Sequence, residues 1–285
     1  MTTTAPRTQP SARLTRWKAA WSRSPVKVRV GLCLLAALIT LAVLGPLLPS
    51  PDPLSTNPAD ALHPPSAGAL WGTDQFGRDV FSRVVAAAHL DLLIAGAVVL
   101  LAAPVGTMLG LVAGATEGPV SSLILRAADV LLSFPAIILA LVIVSIVGNG
   151  TWVVVMALAV AYLPYFIRVA RSRALSERTK DYIDAAVVAG ASRTRIIFWH
   201  LSRNCLGPSR AQAMLAFGWA ILDTAGLAFL GVGIVRPTPE WGLMIGEATP
   251  DVLAGVWWTS VFPGVFVALT VLAASLVGSG ARERV

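Results

Sequence analysis

The chain alternates between long apolar runs and shorter polar connections, and the runs are about 20 residues long. Each of six such runs is long enough to cross a hydrocarbon core of about 30 Å as a helix. The runs are predicted to be helical because backbone polar groups inside a bilayer must pair within their own segment. The predicted spans are Val28–Leu48, Leu90–Ala115, Ala127–Val147, Trp152–Val169, Ala211–Val232 and Val256–Val277.

Composition supports a membrane protein and excludes several other classes. The 285 residues are 56% hydrophobic and 13% charged, with a mean hydropathy of +0.74, whereas a soluble domain carries about 25% charged residues. A disordered chain, a disulfide scaffold, a collagen-like fibre and an ordinary soluble enzyme are therefore excluded. The predicted fold class is an all-α polytopic membrane protein with six transmembrane helices.

The distribution of basic residues predicts the orientation of these spans. If the N-terminus is cytoplasmic, 19 of the 22 Lys and Arg residues fall on the cytoplasmic side and three fall outside. Such a bias predicts that both termini are cytoplasmic. The orientation of the spans therefore explains the net charge of +7, and no nucleic-acid partner is needed to explain it.

The first 29 residues form a basic cytosolic tail ahead of the membrane domain at 30–285. Within the tail, residues 11–27 combine basic side chains with Trp17 and Trp21, which are spaced to share one helical face. This pattern is typical of an interfacial helix on the inner leaflet of the bilayer. A basic tail that only enforces orientation explains it equally well.

Several chemical signatures are missing from the sequence. No G-x-x-x-x-G-K-[ST] loop, H-E-x-x-H or G-x-S-x-G motif is present, and the histidines and cysteines have no metal-ligand spacing. We therefore expect no enzymatic activity, no metal site and no cofactor in this chain. An ion-coupled carrier would need partnered ionisable groups in the bundle, and the embedded acids Asp129 and Asp223 leave that possibility open.

The cytosolic connection at about 172–208 has the pattern helix, turn, helix. Ser176 is expected to cap the first helix and Ser192 the second, with a left-handed stop at Gly190 between them. Four positions of the first helix form one small-residue face: Tyr182, Ala185, Ala186 and Ala189. The second helix has an apolar side: Ile196, Ile197 and Trp199. The pattern suits docking to another protein, but a solvated basic connector has the same composition.

The stretch Asp184-Ala185-Ala186-x-x-x-Gly190 resembles the EAA loop of binding-protein-dependent ABC importer permeases. In that family the loop docks onto a cytosolic ATPase. The resemblance implies that the ATPase-coupling residues are Asp184, Ala185, Ala186, Gly190, Ser192, Arg193 and Ile196. Two positions depart from the family pattern, because Asp184 replaces the usual Glu and Arg203 replaces the usual Pro.

Two further motifs narrow the resemblance to the dipeptide, oligopeptide and nickel group of these permeases. Residues 72–83 resemble the run G-T-D-x-x-G-R-D-x-x-S-R, and residues 227–244 resemble L-S-F-L-G-x-G followed by P-x-P-x-W-G-x-M. The resemblance implies a type I importer fold in the bacterial inner membrane. It also implies a homologous second permease, an extracytoplasmic binding protein, and two cytosolic ABC ATPase subunits or domains that bind ATP and magnesium.

The external segment at about 49–89 and the loop before the sixth span contain candidate gate residues. Asp74, Arg78 and Asp79 would contact the binding protein or the gate, although a turn that only stabilises the fold is favoured. Trp241 would either sit at the membrane interface or seal the outer mouth of the pathway.

Two embedded acids have alternative roles. Asp223 would either line the translocation path or make an interhelical hydrogen bond, and the second role is favoured. Asp129 is expected to be hydrated near the cytoplasmic end of the third span. Two other classes of function remain open at this stage, namely an ion- or proton-coupled secondary transporter or channel, and a membrane scaffold without transport.

Overall fold

The computed structural model describes residues 25–47 and 50–282. These residues form ten helices, and a long external segment with two single 3₁₀ turns lies between the first two. In chain order the helices are α1 (Val26–Leu44), α2 (Val80–Ala115), α3 (Pro119–Leu132), α4 (Ala136–Val147), α5 (Thr151–Glu177), α6 (Asp181–Val188), α7 (Arg193–Phe229), α8 (Trp241–Glu247), α9 (Thr249–Leu253) and α10 (Trp258–Arg282). Residues 1–24, with most of the predicted interfacial helix, lie outside the described residues.

Five of these helices, α1, α2, α5, α7 and α10, are long and apolar enough to cross a membrane. The sixth predicted crossing falls on a bent pair of shorter helices, since α3 and α4 meet at an angle of 89°. The prediction of one continuous helix over Ala127–Val147 is therefore wrong. Pro135 has no N–H to continue the helix and disfavours helical geometry at Phe134, so the helix ends at Leu132 with Ser133 as its C-cap.

Close packing of α2 against α5 forms the centre of the bundle, and glycines on α2 make it possible. Gly106, Gly110 and Gly114 recur every four residues and so lie on one face of α2. A Cβ atom at Gly110 would lie 2.4 Å from the carbonyl oxygen of Ile167 on α5. Small residues at this spacing let two backbones approach closely, which drives helix association inside a bilayer.

Both described chain ends lie on the same side of the bundle. Gly31, near the start of α1, contacts Ala273 and Leu276 near the end of α10. Gly280 in turn packs against Val28. This arrangement agrees with an even number of crossings and with both termini in the cytoplasm.

On the opposite side, the external segment before α2 is anchored to the helices by capping and by aromatic packing. Asp79 caps α2, because its carboxylate accepts a hydrogen bond of 2.7 Å from the backbone N–H of Ser82. Trp71 stacks on Phe262 of α10 with ring centroids 4.5 Å apart. The indole N–H of Trp258 donates to the carbonyl oxygen of Thr73 at 3.1 Å.

Candidate functional site on the cytosolic face

Helix α6 lies in the cytosolic connection and begins later than the sequence predicts. Helix α5 continues to Glu177, so Ser176 lies inside α5 and does not cap the next helix. The prediction for Ser176 is therefore wrong, because the polar residues at the end of α5 extend that helix beyond its apolar part. Gly190 adopts a left-handed φ of +78° after α6, as expected.

The second predicted helix is the beginning of α7 and is not a separate element. The Ser192 hydroxyl caps it by accepting a hydrogen bond of 3.3 Å from the N–H of Arg195. A π-helical turn at Ile196–Leu201 then leads without interruption into the fifth span. A displacement of the connection is therefore passed directly to a membrane-spanning helix.

The outer face of this connection is apolar and exposed. On α6 only Ile183 is buried, whereas Asp184 and Ala185 are exposed and Val188 is 89% exposed. At the start of α7, one part of the predicted apolar side is buried and another part is exposed to solvent. Ile197 is buried and Trp199 is 55% exposed. Exposed apolar side chains on a cytosolic surface indicate a site for another protein.

Arg203 occupies the position where the importer family usually has Pro. Its guanidinium carbon lies 4.2 Å from the centroid of the Trp199 ring, which is within the range of a cation–π interaction. Helix α7 continues through Arg203, and the Arg203 side chain holds Trp199 on the exposed surface.

A buried carboxylate joins the three elements that meet here. Glu177, at the end of α5, forms ion pairs with Lys180 at 2.6 Å and with Arg173 at 3.1 Å. The Tyr182 hydroxyl on α6 donates to Glu177 at 2.7 Å. The same hydroxyl accepts a bond of 2.8 Å from the Asn204 amide on α7. Helices α5, α6 and α7 are thus connected through two side-chain hydrogen bonds.

The protonation state of Tyr182 preserves its hydrogen bond to Glu177 at neutral pH. Burial, followed by the bond to the Glu177 carboxylate, raises the pKa of Tyr182 above its ordinary value. The phenol therefore stays protonated and remains a donor.

A groove of about 360 Å³ opens on the cytosolic side between α6, the start of α7 and the connection from α2 to α3. Ile183 and Leu201 form part of its apolar floor, and Arg178 and Arg193 lie at its rim. Arg178 also pairs with Glu117 at 2.9 Å.

Two of the candidate gate residues of the external side, Asp74 and Arg78, lie in a buried ion cluster, whereas Asp79 caps α2. Arg78 pairs with Asp74 at 2.6 Å and with Glu247 of α8 at 2.9 Å. Arg83 lies 3.6 Å from each of the same two carboxylates. Arg236 adds a pair with Glu247 at 3.2 Å. The cluster clamps the external segment to α8, and a contact with a binding protein stays a prediction.

Trp241 does not lie at a membrane interface. It is fully buried, and its indole N–H donates to the carbonyl oxygen of Val84 at 3.0 Å. The expectation of an interfacial Trp is therefore wrong, because the chain folds α8 inward against α2 and α10. Sealing of the outer mouth by this residue stays a prediction.

The two embedded acids have protein partners. Asp223 on α7 accepts a hydrogen bond of 2.8 Å from the Tyr162 hydroxyl on α5, so it links two helices. Asp129 is exposed and pairs with Arg168 at 2.8 Å. A role for either residue in the translocation path stays a prediction.

The partners in these contacts that were not singled out from the sequence include Glu177, Asn204 and Glu247. A Glu three residues before Lys180 was a local signal for an ion pair. The bonds that bring Asn204 and Glu247 into the clusters had no such signal, because they join residues 22 and 169 positions apart.

Comparison with known proteins places this architecture in a class. Residues 106–285 match the family described as the binding-protein-dependent transport system inner membrane component. The chain belongs to this family and is a multi-pass protein of the bacterial plasma membrane.

Individual relatives are peptide permeases by name. The dipeptide transport system permease protein DppC of Alkalihalophilus pseudofirmus is 41% identical over 89% of this chain and 83% of its own length. The di/tripeptide permease DppC of Pseudomonas aeruginosa is 38% identical over 89% and 85%. The dipeptide permease DppC of Escherichia coli K12 is 39% identical over 89% and 86%.

Proposed function

We propose that this chain is a permease subunit of an ATP-driven importer of dipeptides or other short peptides. The observation that carries the proposal is the exposed apolar face of α6 and of the start of α7, which is continuous with one span and hydrogen-bonded to another. The names of the relatives support peptides as the substrate class.

The chain supplies coupling and a path, while partner subunits supply the chemical energy. Two cytosolic ATPases would bind ATP and magnesium, and one of them would dock on the surface around Asp184 and Val188. This chain would hold no cofactor and catalyse no reaction. A homologous second permease would complete the translocation path, and an extracytoplasmic binding protein would deliver the peptide.

The Glu177–Tyr182–Asn204 contacts supply a mechanical route for this coupling. A shift of α6 pulls on Glu177 through Tyr182 and so moves the end of α5. The same shift acts on α7 through Asn204 and through the unbroken helix after Ser192. The two spans then move together, as the rigid-body rearrangement between inward- and outward-facing states requires.

A charge reversal on the docking surface tests the proposal. In vesicles containing the full complex and the binding protein, Asp184→Lys should lower ATP-driven dipeptide uptake by about tenfold, because it disrupts charge complementarity with the ATPase. The side chain is exposed, so the amount of folded permease should not change. The matched control is Asp52→Lys on the external segment, which should leave the ATPase contact intact.

The outcome also separates this proposal from an ion-coupled carrier. Uptake that is driven by a proton gradient without ATP, and that is unaffected by Asp184→Lys, would refute it. Absence of any peptide flux with every partner present would instead support a scaffold.

A further inference from the structure

Two buried carboxyl groups meet near the external end of the bundle, away from the coupling surface. Asp91 projects from α2 and is 3% exposed, and Glu240 immediately precedes α8 and is 1% exposed. Burial of even one carboxylate without a cation is costly, and burial of two in contact is more so. The pair therefore needs a specific source of stabilisation.

Hydrogen bonds account for part of this stabilisation. The backbone N–H of Trp241 donates to Oδ2 of Asp91 at 3.1 Å, and that of Leu243 donates to Oε2 of Glu240 at 2.5 Å. Oδ1 of Asp91 is buried and receives no hydrogen bond from an N–H or hydroxyl group of the described residues. Glu240 directly precedes Trp241 in the chain, so its buried carboxyl group lies close to that of Asp91.

A hydrogen bond between two carboxyl groups requires a proton on one of them. An ionised carboxylate has only acceptor atoms, so two ionised carboxylates beside each other repel. A proton on the Asp91 carboxyl group would give it one O–H to donate to the Glu240 carboxyl group, and Oδ1 is the Asp91 oxygen without another partner.

The charged groups on the surrounding elements are engaged elsewhere. On α2, Arg83 lies in the external ion cluster and His89 is exposed. On α7, Asp223 is bonded to Tyr162 of α5, and the charged residues of α5 lie in its cytosolic part: Arg168, Arg171, Arg173 and Glu177. Glu247 of α8 pairs with arginines, including Arg236 of the preceding loop, and residues 258–280 of α10 include no acidic or basic residue. The other charges of α7 lie in its cytosolic part: Arg193, Arg195, His200, Arg203 and Arg210.

We infer that Asp91 and Glu240 form a proton-binding site, in which protonation of the buried pair holds α8 against α2 and makes this external contact sensitive to pH. The inference concerns a different part of the molecule from the coupling surface. It holds or fails whatever substrate the protein carries.

The direction of the pH effect follows from the burial of the pair. Burial raises the pKa of Glu240 to about 7 in the closed arrangement, whereas a solvated Glu has a pKa of about 4.3. The closed arrangement therefore binds the proton more tightly than an open one does. The extra stability of the closed arrangement is fully present below about pH 4.3, the pKa of a solvated Glu. It is lost as the pH rises through about 7.

Hydrogen exchange of the backbone amides in residues 240–253 can test this inference in the purified complex. After correction for the intrinsic rate, these amides should exchange about tenfold faster at about pH 8 than at about pH 6, because deprotonation favours opening of α8. In Glu240→Gln a neutral amide replaces the titrating carboxyl group, and Oε1 of the amide can still cap α8. The corrected exchange should then be the same at both pH values.

The matched control is Asp52→Asn, which removes the charge of an exposed external acid and should keep the wild-type response to pH. Equal exchange of the wild-type protein at both pH values would overturn the inference. An unchanged pH response in Glu240→Gln would also overturn it. The measurement needs neither ATP nor a peptide, so its failure would leave the proposed transport function untouched.

Discussion

At the scale of single residues, Tyr182 makes two side-chain hydrogen bonds, to Glu177 and Asn204, although it lies in an exposed connection. Its hydroxyl is both donor and acceptor, and it is the contact point of three helices. Because Tyr182 is 37% exposed, the ring itself contributes little to the buried core. Its role should therefore depend on the hydroxyl group more than on the ring.

Tyr182→Phe tests this view. Removal of the hydroxyl leaves an oxygen of the buried Glu177 carboxylate and the Asn204 amide without this partner, which costs about 1–3 kcal/mol of unfolding free energy. We expect a lower thermal midpoint of the complex and less peptide transported per ATP hydrolysed.

The control for that substitution is Tyr165→Phe, which removes a hydroxyl from the neighbouring α5. Tyr165 makes ring contacts with Tyr162 and Trp219, and the ring is retained in Phe. If both variants changed the transport-to-hydrolysis ratio equally, the hydroxyl of Tyr182 would have no special role in coupling.

At the scale of helices, the association of α2 with α5 depends on the absence of side chains along one stripe. Gly106, Gly110 and Gly114 bring α2 against the backbone of α5, whereas Gly96 on the same helix has open space where its Cβ would be. A lipid environment offers no hydrophobic gain for helix association, so this close fit matters more than it would in water.

Gly110→Val should therefore lower the unfolding free energy by about 1–3 kcal/mol, because the added side chain forces α2 and α5 apart. Thermal unfolding of the purified complex measures this effect. Gly96→Val adds the same side chain to the same helix and should change the midpoint little. Equal midpoints for the two variants would contradict the packing argument.

At the scale of the whole molecule, the external and cytosolic ends of the bundle are built differently. Buried ion pairs and aromatic stacking hold the external segment, α8 and α10 together. The cytosolic end instead presents an exposed apolar surface continuous with α7. A subunit driven by a cytosolic partner needs this asymmetry, since force enters at one end and access changes at the other.

Substitution of Asp223 separates an interhelical role from ion coupling. Asp223→Asn keeps an oxygen that can accept the Tyr162 hydroxyl, so ATP-driven uptake in the full complex should stay within about twofold of wild type. Asp223→Leu removes the acceptor and should lower stability by about 1–3 kcal/mol. Loss of uptake in Asp223→Asn would instead indicate that the charge of this carboxylate is required.

Much of the fold was predictable from the sequence because its determinants are contiguous. The apolar runs indicated six crossings, and the basic residues indicated their orientation. Gly190 and Ser192 marked the turn and the cap in the cytosolic connection through local backbone chemistry. The break before Pro135 was less predictable, because a proline inside an apolar helix bends it in some places and ends it in others. Helices α2 and α10 continue through Pro104 and Pro263.

The sequence by itself determined the class of protein, the apolar segments that form its long helices, and the turn and cap of the cytosolic connection. Hydropathy, charge bias and turn residues act over a few neighbouring positions, so they can be recognised without a structure. Only the tertiary structure decided which polar side chains meet. Trp241 bonds to Asp91 from 150 positions away. Partners at such separations depend on how the helices rotate and pack, and that choice comes from the contacts of the whole bundle.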